Sequence, residues 1–229
     1  LADPSALDAL FADVDGAFAM TTPMNGGTAQ ETATGIAIAD AAARAGVAHL
    51  VFSSVGGAER ESGVPHFESK RRVEEHIEAL GIHHTFLRPV LFMDNLAGFM
   101  TSVENGEAVV RMALPDGIPL QMVAVRDIGR AAAAILLDPS AIQGDSVEIA
   151  GDTLTGSQIA AAIGAYAGLP AHYEALPLEA IAAFGDMAEM FRWFAETPAY
   201  QADFAATRRL VPDVLDLPAW LAGSGWRLE

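Results

Sequence analysis

The stretch Val47-Ala-His-Leu-Val-Phe-Ser53 is an apolar run that ends in serine and is followed by Ser54, a valine and two glycines. An apolar run of this length, bounded by turn residues, predicts a buried β-strand. The alanine-rich segment 28–45 before it predicts a helix, because a glycine, the preferred residue just after a helix, closes it. A second helix is predicted from Pro65 to Leu80, since proline favours the first helical turn and a glycine follows.

Two more apolar strands flank this central unit. Residues 16–21 come before the first helix and end in Thr21-Thr-Pro23, and residues 83–87 follow the second helix and end at Arg88-Pro89. The order strand, helix, strand, helix, strand predicts an α/β protein with a doubly wound parallel sheet. Ligands bind beyond the carboxyl ends of such strands. The residues at these strand exits that are candidates for chemistry are Thr21, Thr22, Pro23, Ser53, Ser54, Arg88 and Pro89.

Beyond the third strand the pattern loosens. The apolar segments 109–112 and 118–125 lie on either side of a Pro-Asp-Gly turn and predict a hairpin or two strands of a separate lobe. Further on, a helix capped by Thr155 is predicted, with Gln158 at the capping-box position. The segment from Met187 to Phe194 is rich in methionine and aromatic residues and predicts an apolar helical cluster.

The composition excludes several classes of protein. With a formal net charge of −17 on 229 residues, the chain would repel a nucleic acid, and its one dense basic run, Lys70-Arg-Arg72, is followed by glutamates. There is no cysteine, so disulfides and thiolate metal sites are excluded, and the histidine spacing indicates no metal site. The apolar runs are too short to cross a bilayer and no signal peptide is visible, so we predict a cytoplasmic protein without membrane contact.

The segment Pro65-His-Phe-Glu-Ser-Lys70 carries the candidate chemistry. Residues four apart share one helical face, so His66 and Lys70 point the same way. Ser53 lies thirteen residues before His66, at the exit of the preceding strand. Short-chain dehydrogenases have a serine, a tyrosine and a lysine in this layout, and here a histidine stands at the tyrosine position.

Together with Val51-Phe-Ser-Ser-Val55, Leu87-Arg-Pro-Val-Leu-Phe-Met-Asp-Asn95 and Val125-Arg-Asp-Ile-Gly129, this segment makes the chain resemble the NmrA-like atypical short-chain dehydrogenases over essentially its whole length. The resemblance implies a Rossmann-type fold that binds NADP or NAD, with NADP favoured. It implies that Lys70 binds the nicotinamide ribose, that Ser53 holds a substrate oxygen and that His66 moves a proton. Further cofactor contacts are implied for Thr21, Thr22, Pro23, Ser54, Pro89, Val90, Phe92 and Asn95.

The resemblance also divides the chain. Residues 1–150 would form the Rossmann-type dinucleotide-binding domain, with a lobe insertion at about 93–124, and residues 151–229 would form a small C-terminal α/β lobe for the substrate or a partner. Asp3 would follow the third strand of the family's sheet, so we expect the glycine-rich phosphate-binding βαβ unit to precede residue 1. For this chain alone we therefore expect weak or absent dinucleotide binding by calorimetry.

Each candidate residue also has a simpler interpretation. Lys70 could be an ordinary helix-surface charge, His66 could pack beside Pro65, the strand-exit serines could satisfy backbone groups, and Asn95 could cap the next helix. Arg88 is interpreted as structural, paired inside the fold.

Two functions stay open. The favoured one is an NAD(P)H-dependent reductase of a small apolar acceptor such as a quinone, acting by hydride transfer from the nicotinamide. The other is a non-enzymatic regulator of the NmrA type, which senses NAD(P) and acts through a protein partner. A homodimer is compatible with both, and fold alone does not choose between them.

Overall fold

The structure is a computed structural model that describes residues 4–24 and 26–228. Asp3, which belongs to the family resemblance, lies outside the described residues. The chain consists of two compact units, one formed by Leu1–Pro89 with Arg130–Glu148 and the other by Val90–Gly129 with Ile149–Glu229. The substrate or partner role assigned to the C-terminal lobe stays a prediction.

The secondary structure alternates between helices and strands in the first unit and is mixed in the second. The helices are α1 (Pro4–Phe11), α2 (Gly27–Ala45), α3 (Pro65–Leu80), α4 (Val125–Leu137), α5 (Gly156–Ala167), α6 (Met187–Glu196), α7 (Phe204–Leu210) and α8 (Leu217–Ser224). The strands are β1 (Gly16–Met20), β2 (His49–Ser53), β3 (His84–Pro89), β4 (Leu91–Phe92), β5 (Thr101–Glu104), β6 (Glu107–Met112), β7 (Leu120–Val123), β8 (Ser146–Ile149), β9 (Asp152–Leu154) and β10 (Ala171–Ala175).

The first unit contains a sheet of order β1-β2-β3-β8, in which β1 and β3 both run parallel to β2. This confirms the predicted α/β fold with a parallel Rossmann-type sheet. The register places Met20 beside Ser53 and Ser53 beside Leu87. Because β1 and β2 end at one level and β3 ends two residues beyond it, the residues that follow the three strands leave the sheet at a common edge.

The helices α2 and α3 pack closely against each other in the first unit. A β-carbon built on Gly35 of α2 would lie 2.5 Å from Cγ2 of Val73 on α3, so only glycine allows this approach. The hydroxyl of Thr32 donates to the backbone oxygen of Ser69 at 3.3 Å across the same interface. One turn before Gly35 on α2 is Glu31, and this packing brings it beside the first half of α3.

The second unit has two small sheets, of order β10-β6-β5 and β4-β7-β9. The predicted hairpin between residues 109–112 and 118–125 is wrong, because β6 pairs with β5 and β10 whereas β7 pairs with β4 and β9. The alternative, two separate lobe strands, holds. Asp116 in the turn accepts hydrogen bonds from the backbone and hydroxyl of Ser157, which ties the turn to the start of α5.

Several local predictions are confirmed. Thr155 caps α5, and Gln158 completes the capping box by accepting from the backbone N–H of Thr155 at 2.9 Å. Pro65 opens α3, and Gly81, with φ 66°, ends it. No helix within residues 4–24 and 26–228 is both long and apolar enough to span a membrane.

Candidate functional site

The start of α3 is fixed by the side chain of Glu68. The N-cap residue, Val64, has no side-chain hydrogen bond of its own. Instead, Glu68 reaches back and accepts from the hydroxyl of Ser62 at 3.1 Å and from the N–H of Gly63 at 3.0 Å. A carboxylate near the first turn of a helix also interacts favourably with the helix dipole. The position of His66 and Lys70 in the first two turns is therefore well defined.

Lys70 lies at the exit of β1 and not on the helix surface, since only 11% of its side chain is exposed. Its Nζ donates to the backbone oxygen of Thr21 at 2.5 Å and to the hydroxyl of Thr21 at 3.2 Å. It also forms a salt bridge of 3.0 Å with Oε1 of Glu31 and lies 5.7 Å from the ring centroid of Phe52. The interpretation of Lys70 as a solvated surface charge does not hold.

Glu31 is a member of this site that the sequence did not predict. Its side chain has no exposed surface, and its Oε2 accepts a short hydrogen bond of 2.5 Å from the hydroxyl of Ser69. The hydroxyl of Thr21 donates to Oε1 at 3.3 Å. A signal was present in the sequence: Glu31 lies on the same stripe of α2 as Gly35, Ile38 and Ala42, all buried.

Burial is the main influence on the titration of Lys70. Removal from water disfavours the ammonium and lowers its pKa, while the charge and hydrogen bond of Glu31 oppose the change without reversing it. The site therefore contains a desolvated lysine beside a desolvated carboxylate.

The exits of β1 and β2 contribute the polar groups that were predicted there. Thr21 is buried and faces Lys70, whereas Thr22 is exposed and its hydroxyl accepts from the N–H of Met24 at 3.3 Å. The oxygen of Pro23 accepts from the N–H of Gly27 at 2.9 Å, so the predicted strand-terminating turn is present beside the site. Ser53 is the last residue of β2.

Ser54 has an unused hydroxyl. It is 6% exposed, and its backbone N–H donates to the oxygen of Leu87 at 2.8 Å. Its Oγ has no hydrogen-bond partner within the part of the chain that the structure describes. A buried hydroxyl without a partner is costly, so its capacity is available to a ligand.

His66 is half-buried on the first turn of α3. Its ring contacts Phe67 edge to face, with 4.7 Å between the ring centroids, and its backbone oxygen lies 3.0 Å from the hydroxyl oxygen of Ser69. His66 and Lys70 are one turn apart, as the spacing predicts.

The remaining predicted contacts follow β3. Pro89 ends that strand, Val90 is buried and Phe92, the last residue of β4, is 38% exposed. Asn95 ends a single turn of 3₁₀ helix. The carboxylate of Asp94, and not the side chain of Asn95, accepts from the N–H of Val125, the first residue of α4, at 2.9 Å.

Arg88 is structural, as predicted. It is 8% exposed and donates two hydrogen bonds to the buried carboxylate of Glu74, at 2.9 and 2.8 Å. A further ion pair joins it to Glu59 at 3.1 Å. No group of three or more histidine and acidic side chains that could hold a metal ion is present in residues 4–24 and 26–228.

The second unit contains a pocket of about 170 Å³. Phe194, Tyr200, Leu120 and Gln121 are among its lining residues, none of which carries a charge. The side-chain amide of Gln121 is fixed by two hydrogen bonds to the backbone of Ala202, at 3.1 and 2.9 Å. An apolar cavity of about 150 Å³ holds a molecule the size of benzene, so this pocket has room for one aromatic ring.

Comparison with known proteins agrees with this fold and motif order. The model of the NmrA-like family matches residues 1–217. The chain belongs to the NmrA-like family. Among curated relatives, it is 32% identical over 181 residues to an NAD(P)H azoreductase of Xenophilus azovorans, a match that covers 78% of this chain and 60% of the azoreductase. The chain spans about 60% of the length of the curated relatives it matches.

Several solved structures share the fold. NmrA, a negative transcriptional regulator, has a TM-score of 0.81 at 23% identity, covering 97% of this chain and 77% of that one. An NADPH-dependent quinone oxidoreductase of Escherichia coli, in complex with NADPH, has a TM-score of 0.79 at 22% identity, covering 96% and 80%. At these identities the likeness shows the fold alone.

Proposed function

We propose that this protein is an NAD(P)H-dependent reductase of a small uncharged acceptor such as a quinone or an azo dye. The observation that carries the proposal is the burial of Lys70 at the exit of β1, against Thr21 and Glu31. A lysine withdrawn from water at the carboxyl edge of a parallel sheet is suited to bind a polar ligand there. The relative named NAD(P)H azoreductase supports the same reaction class.

The residues at the sheet edge fit the ribose of a dinucleotide. A ribose has vicinal hydroxyls that both donate and accept, and Lys70 offers a charged donor while the hydroxyl of Ser54 offers an unused donor and acceptor. We propose that these two, with Thr21, Thr22, Pro23 and Pro89, line the bound dinucleotide. Val90, Phe92 and Asn95 are proposed contacts from the segment after β3, and NADP is the proposed preference.

The proposed chemistry divides between the cofactor and the protein. When bound, the dinucleotide supplies a hydride. Ser53 would hold an oxygen or nitrogen atom of the acceptor by a hydrogen bond, and His66 would donate a proton to the atom that becomes anionic. A quinone needs less of this help because its ring delocalises the negative charge.

The test is turnover by the full-length protein. Reduced NADPH or NADH is mixed with a panel of quinones, azo dyes and aldehydes, and loss of the reduced nicotinamide absorbance is followed. Oxidation that depends on both enzyme and acceptor supports the proposal. His66→Ala should lower kcat and leave the Kd for the cofactor near the wild-type value. Dinucleotide binding without turnover on any acceptor would overturn it in favour of a cofactor-sensing regulator.

A further inference from the structure

Glu31 carries a carboxyl group on the buried, otherwise apolar face of α2. Placing a carboxylate there carries a desolvation cost, which an ion pair and hydrogen bonds only offset. Well-packed apolar residues in place of a buried ion pair are often neutral or stabilising. Stability therefore does not by itself account for Glu31, and its contacts indicate what does.

The contacts of Glu31 converge on Lys70 and its neighbours. Oε1 is 3.0 Å from Nζ of Lys70 and accepts from the hydroxyl of Thr21, the residue that also binds Nζ through its backbone oxygen. Oε2 accepts from Ser69, the residue next to Lys70 on α3. The carboxylate thus joins the end of β1 to the second turn of α3, with the ammonium between them.

We propose that Glu31 is the positioning residue of the site: its carboxylate fixes the ammonium of Lys70 at the end of β1 through an ion pair, so that Lys70 can hold a ribose hydroxyl. The nature of the ligand rests on the proposed function, whereas the effect of Glu31 on Lys70 does not. Glu31 has no exposed surface from which to contact a ligand itself, and it acts through the lysine.

Of the other ionisable groups of α3 near Lys70, Arg71 and Glu74 form ion pairs with other residues, and His66 lies one turn away. Arg71 pairs with Glu78 and Glu74, and Glu74 also holds Arg88. His66 is one turn earlier on the helix. From α2, Glu31 is the charged group that acts on Lys70. Loss of this one carboxylate should therefore leave the buried ammonium without its charged partner.

The first test measures Lys70 without any cofactor. The full-length protein and its Glu31→Gln variant are labelled with an amine acetylating reagent over a range of pH, and modification of Lys70 is measured by peptide mass spectrometry. In Glu31→Gln the midpoint of Lys70 labelling should move to lower pH, because the uncharged amine is the reactive form. An unchanged midpoint would overturn the proposal. Glu75→Gln, an exposed change of the same chemistry on α3, is the matched control and should leave the midpoint in place.

The second test measures the consequence for binding. Glu31→Gln should weaken NADPH binding about tenfold to a hundredfold, the effect of one charge-assisted hydrogen bond. Glu31→Asp keeps the charge and should recover most of the labelling midpoint, which a purely structural role would not predict. If Glu31→Gln is too unstable to handle, Glu31→Met removes the buried charge and supplies the same measurement. Failure of the wild-type protein to bind any dinucleotide would overturn the proposed function and leave the labelling result to decide the role of Glu31.

Discussion

Gly35 of α2 faces Val73 of α3 so closely that a β-carbon on Gly35 would lie 2.5 Å from a methyl group of Val73. One turn before these residues on each helix are Glu31 and Ser69, joined by a 2.5 Å hydrogen bond. The close approach of the two helices is therefore what places the carboxylate beside Lys70. A side chain at residue 35 would affect both stability and the site.

Gly35→Ala should destabilise the protein by about 1–3 kcal/mol, the usual cost of an added methyl group in a packed interface. Urea unfolding measures the effect. Gly129→Ala is the control, since nothing lies within 4 Å of a β-carbon there and removing a helical glycine should stabilise by about 0.5–1 kcal/mol. Adding Val73→Ala to Gly35→Ala should cost less than the sum of the two single changes. Strict additivity would show that the two side chains do not clash.

Lys70→Met should weaken NADPH binding by the full-length protein about tenfold to a hundredfold, because a charged hydrogen bond to the ligand is lost. Quenching of nicotinamide fluorescence provides the Kd. Arg72→Met removes an exposed charge from the same helix and should leave the Kd near the wild-type value. Since Lys70→Met leaves Glu31 unpaired, the double variant with Glu31→Met should regain stability but not affinity. Recovery of affinity in the double variant would argue against a role for Lys70 in binding.

Glu74→Gln should lower the free energy of unfolding by about 3–5 kcal/mol, because it leaves the guanidinium of Arg88 buried without its main carboxylate. Glu75→Gln, whose side chain is 57% exposed and which pairs with Arg71, should change stability by less than about 0.5 kcal/mol. The midpoints of denaturant unfolding distinguish the two variants, provided that the dependence of the unfolding free energy on denaturant concentration is the same in both. Equal effects of both changes would mean that the Arg88 pair contributes no more than a surface pair.

Stability should fall in mild acid through His49. Burial, followed by the nearby rings of His83 and His84, lowers its pKa below 6.5, and its ring stacks on that of His83 with 4.3 Å between centroids. The unfolded chain then binds the proton more readily than the folded protein. The contribution of His49 to the free energy of unfolding is therefore fully present above about pH 6.5 and is lost progressively as the pH falls below that value. Urea titrations at several pH values should show a shallower decline for His49→Gln than for wild type. His172→Gln, an exposed histidine, should follow the wild-type curve.

The local elements of this protein could be predicted from the sequence because their causes are local. The apolar runs of β1, β2 and β3, the proline that opens α3 and the capping box of α5 each depend on residues close together in the chain. The strands that β6 and β7 each pair with could not be predicted in this way. β6 pairs with β5 and β10 and β7 with β4 and β9, which include strands distant in the chain, and the turn sequence itself is equally suited to a hairpin.

The candidate site shows the same division. The sequence alone determined that Ser53, His66 and Lys70 lie at a strand exit and on one face of the following helix, since spacing and helical periodicity suffice for that. Only the tertiary structure decided that Lys70 is buried and that its partner is Glu31, because the charge state and orientation of a lysine depend on which groups surround it in space. Those groups come from β1 and α2, and the close contact of Gly35 with Val73 brings them together.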